Sequence, residues 1–417
     1  MDAPPLLAVD RLLDDPATRI IVCCGAGGVG KTTTAAALGV RAAERGRKAV
    51  VLTIDPARRL AQSMGIDSLD NTPRKVAGVS GEGELHAMML DMKRTFDEIV
   101  EGHAEGERAQ AILANPFYQS LSAGFAGTQE YMAMEKLGQL RARDDWDLIV
   151  VDTPPSRSAL DFLDAPKRLG SFLDGKFIRV LMAPAKVGGR AGMKFLNVGM
   201  SLMTGTLSKL MGASLLKDVQ TFVAAMDTMF GGFRTRADAT FRLLQAPGTA
   251  FLVVAAPEPD ALREAAYFVE RLAAERMPLA GLVLNRVHGS GADQLSAERA
   301  LAAAENLEEG GIVDQESGKA GLRDPAAEAA QTSQDGSPSA EGPGTDADVD
   351  EITAGLLRLH AERMQVIARE RRTRDRFTSL HPEVAVAEVA ALPGDVHDLA
   401  GLRAIGERLA AGVPAGA

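Results

Sequence analysis

Eight residues near the N-terminus constrain the fold of this 417-residue chain most strongly: Gly25-Ala26-Gly27-Gly28-Val29-Gly30-Lys31-Thr32. They match the pattern G-x-x-x-x-G-K-[ST], in which glycines let backbone N–H groups curl around a polyphosphate, lysine adds a mobile charge and the hydroxyl binds magnesium. A glycine-rich turn that only resembles this pattern is the alternative. The flanks argue against that alternative, because Arg19–Cys24 predicts a buried strand and Thr32–Glu44 predicts an alanine-rich helix closed by Gly46. The N-terminus of such a helix favours an anion.

Further apolar runs predict a sheet that alternates with helices. The candidate strands are Ala49–Ile54, Leu85–Leu90, Leu148–Val151, Ala250–Ala255, Gly281–Leu284 and Val384–Ala391. Helical patterns lie between most of them, so the expected fold class is α/β. We predict a doubly wound, mostly parallel sheet of the P-loop NTPase type with a helical insertion, and ligands beyond the carboxyl ends of the strands.

Two insertions are predicted to divide the P-loop core. The core comprises residues 1–161, 242–304 and 350–417, the last part containing a loop near its C-terminus. Residues 162–241 form a methionine-rich helical insertion. Residues 305–349 are rich in Gly, Ala, Ser, Asp and Glu with almost no large apolar residues, so they are predicted to be disordered.

The methionine-rich insertion contains two apolar stripes with helical spacing. They consist of Leu196, Met200, Met203, Leu207 and Leu210, and of Leu216, Val219, Val223, Met226 and Phe230. Each stripe predicts an amphipathic helix. The stripes pack on each other or on a partner subunit, or they form an adaptable groove for hydrophobic clients, a use to which methionine is suited. The sequence leaves both interpretations open.

Charge and cysteine content exclude several classes of partner. The formal net charge of −10 argues against a general nucleic-acid-binding protein. The basic run Arg369–Arg376 includes acidic residues and is interpreted as a solvated helical face. The only cysteines, Cys23 and Cys24, should point to opposite faces of the first strand, and without a C-x-x-C pair neither a cysteine zinc site nor a thiolate metalloid site is expected.

No secretory leader or membrane-spanning segment is recognisable in the sequence. The N-terminus lacks a basic region followed by an apolar one, and no run of about 18 apolar residues occurs. We therefore expect a soluble cytoplasmic protein that reaches a membrane only through a partner.

Two carboxylates follow predicted strands near the phosphate-binding loop. Asp55 ends the second strand, where it would reach a γ-phosphate or its attacking water, although Asp55-Pro56 is equally typical of a simple turn. Asp152 ends the strand over 148–151, an arrangement that orients magnesium and its waters. The ends of three strands are therefore expected to form one site.

On these motifs the chain resembles the ArsA-type ATPases, which include the arsenite-pump ATPase and the ATPase that targets tail-anchored membrane proteins. Asp55-Pro56-Ala57 resembles the first switch of that family, and Asp152-Thr153-Pro154-Pro155-Ser156 resembles its second switch. Gly127-Thr128-Gln129-Glu130 resembles its G-x-x-E segment. Asn285 and Leu392-Pro393-Gly394 resemble the positions at which the family holds adenine.

The resemblance implies a role for each site residue, with ATP and Mg²⁺ as cofactors. Lys31 would contact the β- and γ-phosphates, Thr32 would bind magnesium and Thr33 would touch the α-phosphate. Asp55 would activate water. Asp152 would hold magnesium through water. Asn285 would bind adenine, for which its amide is suited, although such an Asn also commonly caps a turn; Pro393 would pack on the base.

Three departures from the family pattern affect the expected partners. Where the family has a second lysine that reaches the phosphates of the other subunit, this chain has Ala26, so a heterodimer with a paralogous, lysine-bearing subunit is our hypothesis, with a homodimer as the alternative. Arg157 and Ser158 replace the family's Gly-His in the second switch. The family's cysteine pair is missing, so the zinc-linked dimer seen in tail-anchored-protein targeting is not expected.

Three functions remain in competition at this stage. The first is a magnesium-dependent ATPase whose dimer opens and closes to handle a hydrophobic client, such as a client helix or a membrane protein. The second is an ATPase subunit that energises an anion transporter, although the absent thiolates argue against arsenite as the effector. The third is a nucleotide-binding regulatory subunit with weak hydrolysis, which Ala26 favours and Lys31, Thr32 and Asp55 disfavour.

Overall fold

An eight-stranded sheet forms the centre of the computed structural model, which describes residues 4–55, 59–104, 106–116, 118–119, 122, 128–154, 235–317 and 345–412. The strands are β1 (Ile20–Gly25), β2 (Lys48–Thr53), β3 (Arg74–Lys75), β4 (Glu84–Met89), β5 (Leu148–Asp152), β6 (Thr249–Ala255), β7 (Leu279–Val287) and β8 (Val386–Ala390). All neighbouring pairs are parallel except β3 and β4. The predicted α/β class and mostly parallel sheet are confirmed.

Helices cover both faces of this sheet. They are α1 (Val9–Asp14), α2 (Lys31–Glu44), α3 (Arg59–Ser63), α4 (Met92–His103), α5 (Gly106–Leu113), α6 (Thr128–Arg143), α7 (235–245), α8 (Pro259–Ala274), α9 (Ala297–Ser317), α10 (Thr345–Leu380) and α11 (Leu399–Ala411). The predicted first helix is α2, and Gly46 follows it with φ +92°, the left-handed conformation typical of a helix stop.

The strand order β3-β4-β2-β5-β1-β6-β7-β8 places β1 at the point where the chain changes direction across the sheet. From β1 the chain moves to β2 and β4 on one side, and later to β6, β7 and β8 on the other. In doubly wound sheets, ligands bind outside the carboxyl ends of strands at such a point. The loop after β1 lies there, as the sequence predicted.

The core lies on both faces of β1. Ile20, Val22 and Cys24 pack in one apolar cluster, whereas Ile21 and Cys23 pack in the other. This alternation confirms that the two cysteines point to opposite faces. Burial raises the pKa of Cys24 to about 12, so its thiol is a poor metal ligand near neutral pH.

Two predictions about organisation differ from the structure, and one strand was missed. The disorder predicted for 305–349 is wrong at both ends, because α9 extends to Ser317 and α10 begins at Thr345. Arg358 of α10 lies 2.6 Å from Glu308 of α9, so the two helices are joined by an ion pair. The predicted boundary at 241 falls inside α7, and the short edge strand β3 was not predicted.

Several expectations concern residues outside the described ranges. These are the two apolar stripes of the insertion, Pro56 and Ala57 of the first switch, and Arg157 and Ser158 of the second. The division into core and insertions stays a prediction. The basic run Arg369–Arg376 lies in α10 with most of its arginines exposed, as expected of a solvated face. Among the helices of the described ranges, none is long and apolar enough to cross a membrane.

Candidate nucleotide-binding site

The loop between β1 and α2 depends on glycine at two close approaches. At Gly25, φ is +148° and an added Cβ would lie 2.0 Å from the Val254 oxygen of the neighbouring strand β6. Gly30 has φ +97°, and its Cβ would lie 2.2 Å from Nδ2 of Asn285. L side chains rarely adopt such φ values, and here they would also collide with neighbouring atoms. The loop therefore holds its curled shape only with these glycines.

Lys31 lies folded against the loop that it follows. Its side chain is only 6% exposed, and Nζ donates a hydrogen bond of 2.7 Å to the backbone oxygen of Ala26. Burial lowers the pKa of Lys31, an effect that the nearby carboxylates of Asp152 and Asp55 oppose. A lysine with reduced hydration is well placed to exchange its carbonyl partner for a phosphate oxygen.

Asp152 is the buried centre of the site. The sheet register aligns it with Thr53 of β2 and with Cys23 of β1, which brings the ends of three strands together. Its Oδ2 accepts hydrogen bonds of 2.8 Å from both Thr32 Oγ1 and Thr53 Oγ1. The predicted meeting of the phosphate loop with the strand that ends at Asp152 is therefore found in the structure.

The other oxygen of Asp152 fits a magnesium-bound water. Oδ1 is buried without a hydrogen-bond partner among the described residues, and a buried acceptor left so is costly unless something else satisfies it. Burial raises the pKa of Asp152 to about 6, against the lowering effect of the Thr32 and Thr53 hydrogen bonds. The carboxylate and the Thr32 hydroxyl are the oxygen groups that Mg²⁺ prefers. The Thr32 hydroxyl would bind Mg²⁺, and the Asp152 carboxylate would hold it through water.

Asp55 follows β2 on a backbone that two hydrogen bonds restrain. The Ile54 N–H donates to the Asp152 carbonyl oxygen at 3.0 Å, and the Asp55 N–H donates to Thr53 Oγ1 at 3.2 Å. The structure thus brings Asp55 together with Lys31, Thr32 and Asp152. Its role with water stays a prediction.

Two adjoining cavities form the space in front of the loop. The first has a volume of about 800 Å³ and is lined by Gly27, Gly28, Gly30, Lys31, Thr32, Thr33 and Asp55, together with residues from the rest of the fold. The second, of about 510 Å³, is lined in part by Thr33, Asn285, Leu392, Pro393 and Gly394. Because Gly30, Thr33 and Arg286 line both, the pair matches a polyphosphate site that continues into a base site.

Asn285 and Pro393 line the second cavity, although both lie far from the phosphate loop in the sequence. The Asn285 amide is buried and donates a hydrogen bond of 2.9 Å to the Val29 oxygen, so β7 directly supports the loop. This contact was not predicted. The predicted contact of Asn285 with adenine stays a prediction.

Several cavity residues were not predicted from the sequence. Arg59 and His397 line the first cavity, and Arg286 lines both. Arg286 has φ +63°, a conformation that costs energy for a non-glycine residue and often marks a functional site. The sequence signal that could have indicated Arg286 was a positive charge directly after Asn285. Within the described part of the chain, no three His, Cys, Asp or Glu residues cluster as a metal site.

The Ala26 side chain packs inward. It is 9% exposed and belongs to the apolar cluster that contains Cys23 and Val29. Its backbone oxygen accepts the hydrogen bond from Lys31. Position 26 therefore contributes packing to this subunit and no positive charge.

Comparison with known proteins agrees with this geometry. The family described as anion-transporting ATPase matches residues 18–309. ATPase GET3 of Malassezia globosa is 31% identical over 166 residues, which cover 40% of this chain and 47% of that protein. ATPase GET3 of Podospora anserina is 26% identical over 300 residues, 70% of this chain and 81% of the relative. ATPase GET3 of Phaeosphaeria nodorum is 29% identical over 226 residues, which cover 51% of this chain and 68% of that protein.

Proposed function

Because this chain belongs to the anion-transporting ATPase family and is an ATP hydrolase, we propose that it couples magnesium-dependent hydrolysis of ATP to the handling of a hydrophobic client. The single observation that carries the catalytic part is the convergence of Thr32 and Thr53 on one oxygen of buried Asp152, whose other oxygen is buried without a hydrogen-bond partner among the described residues. This is the arrangement that binds a metal–nucleotide complex.

The roles that we propose for the site residues follow from their positions. The loop from Gly25 to Gly30 presents N–H groups at the N-terminus of α2, where an anion is favoured. Lys31 contacts the β- and γ-phosphates, and Thr33 lies where an α-phosphate would pass into the second cavity. Thr32, and Asp152 through water, would hold Mg²⁺, which would supply positive charge against the phosphates.

Asp55 is the proposed residue that orients and deprotonates the attacking water. It lines the phosphate cavity together with Lys31 and Thr32, and the Thr32 hydroxyl donates to Asp152. Water alone attacks a phosphoryl group slowly, and a positioned carboxylate contributes about 10²–10⁴-fold in general base catalysis. Asn285 and Pro393 would hold adenine in the adjoining cavity.

The client-handling part rests on where the helical insertion joins the core. Thr153 and Pro154 follow Asp152 at the end of β5, and the predicted insertion begins a few residues later, so it is attached at the carboxyl end of this strand. A movement of Asp152 on hydrolysis would therefore be transmitted to the start of that segment. A dimer that opens and closes, with this chain paired to itself or to a lysine-bearing paralogue, would turn that change into capture and release.

The client proposal is tested with charges on the predicted apolar stripe. The double substitution Met200→Asp, Met203→Asp should abolish capture of a hydrophobic helical peptide while ATP affinity, measured by calorimetry, stays within about twofold. The matched control is Ser201→Asp with Ser208→Asp, which adds the same charge beside the stripe. Equal capture by both double variants and the unmodified chain would restrict the stripe to packing.

A second candidate function is suggested by the family description itself. An anion-transporting ATPase subunit would need a separate membrane chain, and its hydrolysis would respond to the transported anion. The two cysteines are buried on opposite faces of β1 and cannot jointly bind a metalloid. Stimulation of hydrolysis by an oxyanion in the absence of any client peptide would favour this alternative.

A further inference from the structure

The peptide unit between Ile54 and Asp55 is held at both ends by side chains. Its N–H donates to Thr53 Oγ1 at 3.2 Å. Its carbonyl oxygen, on Ile54, accepts a hydrogen bond of 2.9 Å from Nε2 of Gln129 in the first turn of α6. The Thr53 hydroxyl in turn donates to Asp152. Two independent parts of the fold therefore fix the plane from which Asp55 projects.

We infer that Gln129 is a positioning residue for hydrolysis, because it holds the Asp55 carboxylate in place through the backbone of Ile54. The inference rests on the proposed role of Asp55 with the attacking water. Gln129 is the second x of the G-x-x-E segment, and the roles proposed above for the site residues do not include it. A shift of about 1 Å in a catalytic group can cost about 10²-fold in rate, so one hydrogen bond to this peptide is sufficient to matter.

The location of the bond makes Gln129 more than a surface contact. Ile54 is 2% exposed, and its N–H is already satisfied by the Asp152 carbonyl oxygen. Without the Gln129 amide, the Ile54 oxygen would lose its side-chain donor at a part-buried position, and the peptide would be held less firmly, although its N–H still donates to Thr53 Oγ1.

Helix α6 itself is tied to the helix that follows the insertion. Glu135 of α6 is buried and accepts hydrogen bonds of 2.9 and 3.1 Å from Nε of Arg236 in α7. A Cβ added at Gly138 would lie 2.7 Å from Thr240 Oγ1, so the two helices also approach closely. A displacement of α7 would therefore move α6 and, through Gln129, the peptide that carries Asp55.

The experiment compares three single variants in ATP hydrolysis and ATP binding. Gln129→Glu keeps the size but replaces the donor by a carboxylate that cannot donate to the Ile54 oxygen, and Gln129→Ala removes it. Both should lower kcat about tenfold or more, with the Kd for ATP within about twofold. Gln119→Glu is the matched control, because the Gln119 amide donates at 3.1 Å to the Leu113 oxygen on the surface. It should keep full kcat.

A double-mutant cycle then tests whether Gln129 acts through Asp55. Single-turnover hydrolysis of radiolabelled ATP is measured for Asp55→Asn alone and combined with Gln129→Glu. If the inference is right, the double variant is as slow as Asp55→Asn within about twofold. Losses that multiply, or an unchanged kcat in folded Gln129→Glu and Gln129→Ala, overturn it while Asp55 keeps its role. Full activity in Asp55→Asn overturns both the role of Asp55 and the inference.

Discussion

Replacing Thr53 by valine tests how the site keeps Asp152 ionised. Valine has nearly the same shape as threonine but lacks the hydroxyl that donates to Asp152 Oδ2 at 2.8 Å. Thr53 is 1% exposed, so water cannot easily replace that donor. A hydrogen bond to a charged group contributes about 1.5–3 kcal/mol, and the loss falls on the ionised form of the carboxyl.

The expected size of the effect follows from the pKa of Asp152, which burial raises to about 6. Since about 1.36 kcal/mol corresponds to one pKa unit, losing the bond should raise the pKa to about 7–8. At pH 7 the carboxylate would fall from about nine-tenths ionised to about half or less. Protonated Asp152 cannot attract Mg²⁺, so the pH below which magnesium binding weakens should rise.

The assay is the magnesium concentration for half-maximal ATP hydrolysis, measured at several pH values. In the unmodified protein this concentration should increase as pH falls through about 6, and in Thr53→Val as it falls through about 7–8. Thr249→Val is the control: Thr249 is also buried, and its hydroxyl donates at 2.9 Å to the Leu243 oxygen at the opposite end of the sheet. Coincident pH profiles for a folded Thr53→Val and the unmodified protein would refute the argument.

Three further predictions concern individual site positions. Asp55→Asn should lower turnover by about 10² or more with ATP affinity within about twofold, measured by single turnover and calorimetry; equal turnover would remove Asp55 from the mechanism. Gly30→Ala should weaken ATP binding by about tenfold or more through its contact with Asn285, whereas Gly46→Ala, with φ +92° and no atom within 4 Å, should lower only the thermal stability; equal ATP affinities would contradict this. Ala26→Lys should raise hydrolysis, while Ala26→Met of similar length should not; a rise in both, or in neither, would contradict a need for charge at this position.

The central site could be predicted because its residues lie at the ends of parallel strands. Lys31, Thr32 and Asp152 each follow a recognisable apolar run, and parallel strands bring their carboxyl ends to one edge of the sheet. The register that aligns Thr53 with Asp152 refines this prediction without changing it. Local sequence was sufficient here because motif and topology point to the same edge.

The parts that could not be predicted depend on contacts between distant segments. Gln129 meets Ile54 because the first turn of α6 lies beside the residue that follows β2, and no spacing in the sequence indicates that pair. The two residues of β3 are too few to show a period-two pattern. The start of the acidic insertion was predicted to be disordered from its composition, yet α9 extends through it beside α10, with an ion pair from Glu308.

The place of β1 between β5 and β6 also bears on how the fold accommodates insertions. Both neighbours pair with β1, yet the whole predicted helical insertion, residues 162–241, lies between Asp152 and Thr249 in sequence. Loop-closure entropy grows only with the logarithm of loop length, so doubling such a connection costs about 0.6 kcal/mol. Segments of very different length and content can therefore be exchanged at this point with little effect on the stability of the sheet, although long connections slow the pairing of β1 during folding.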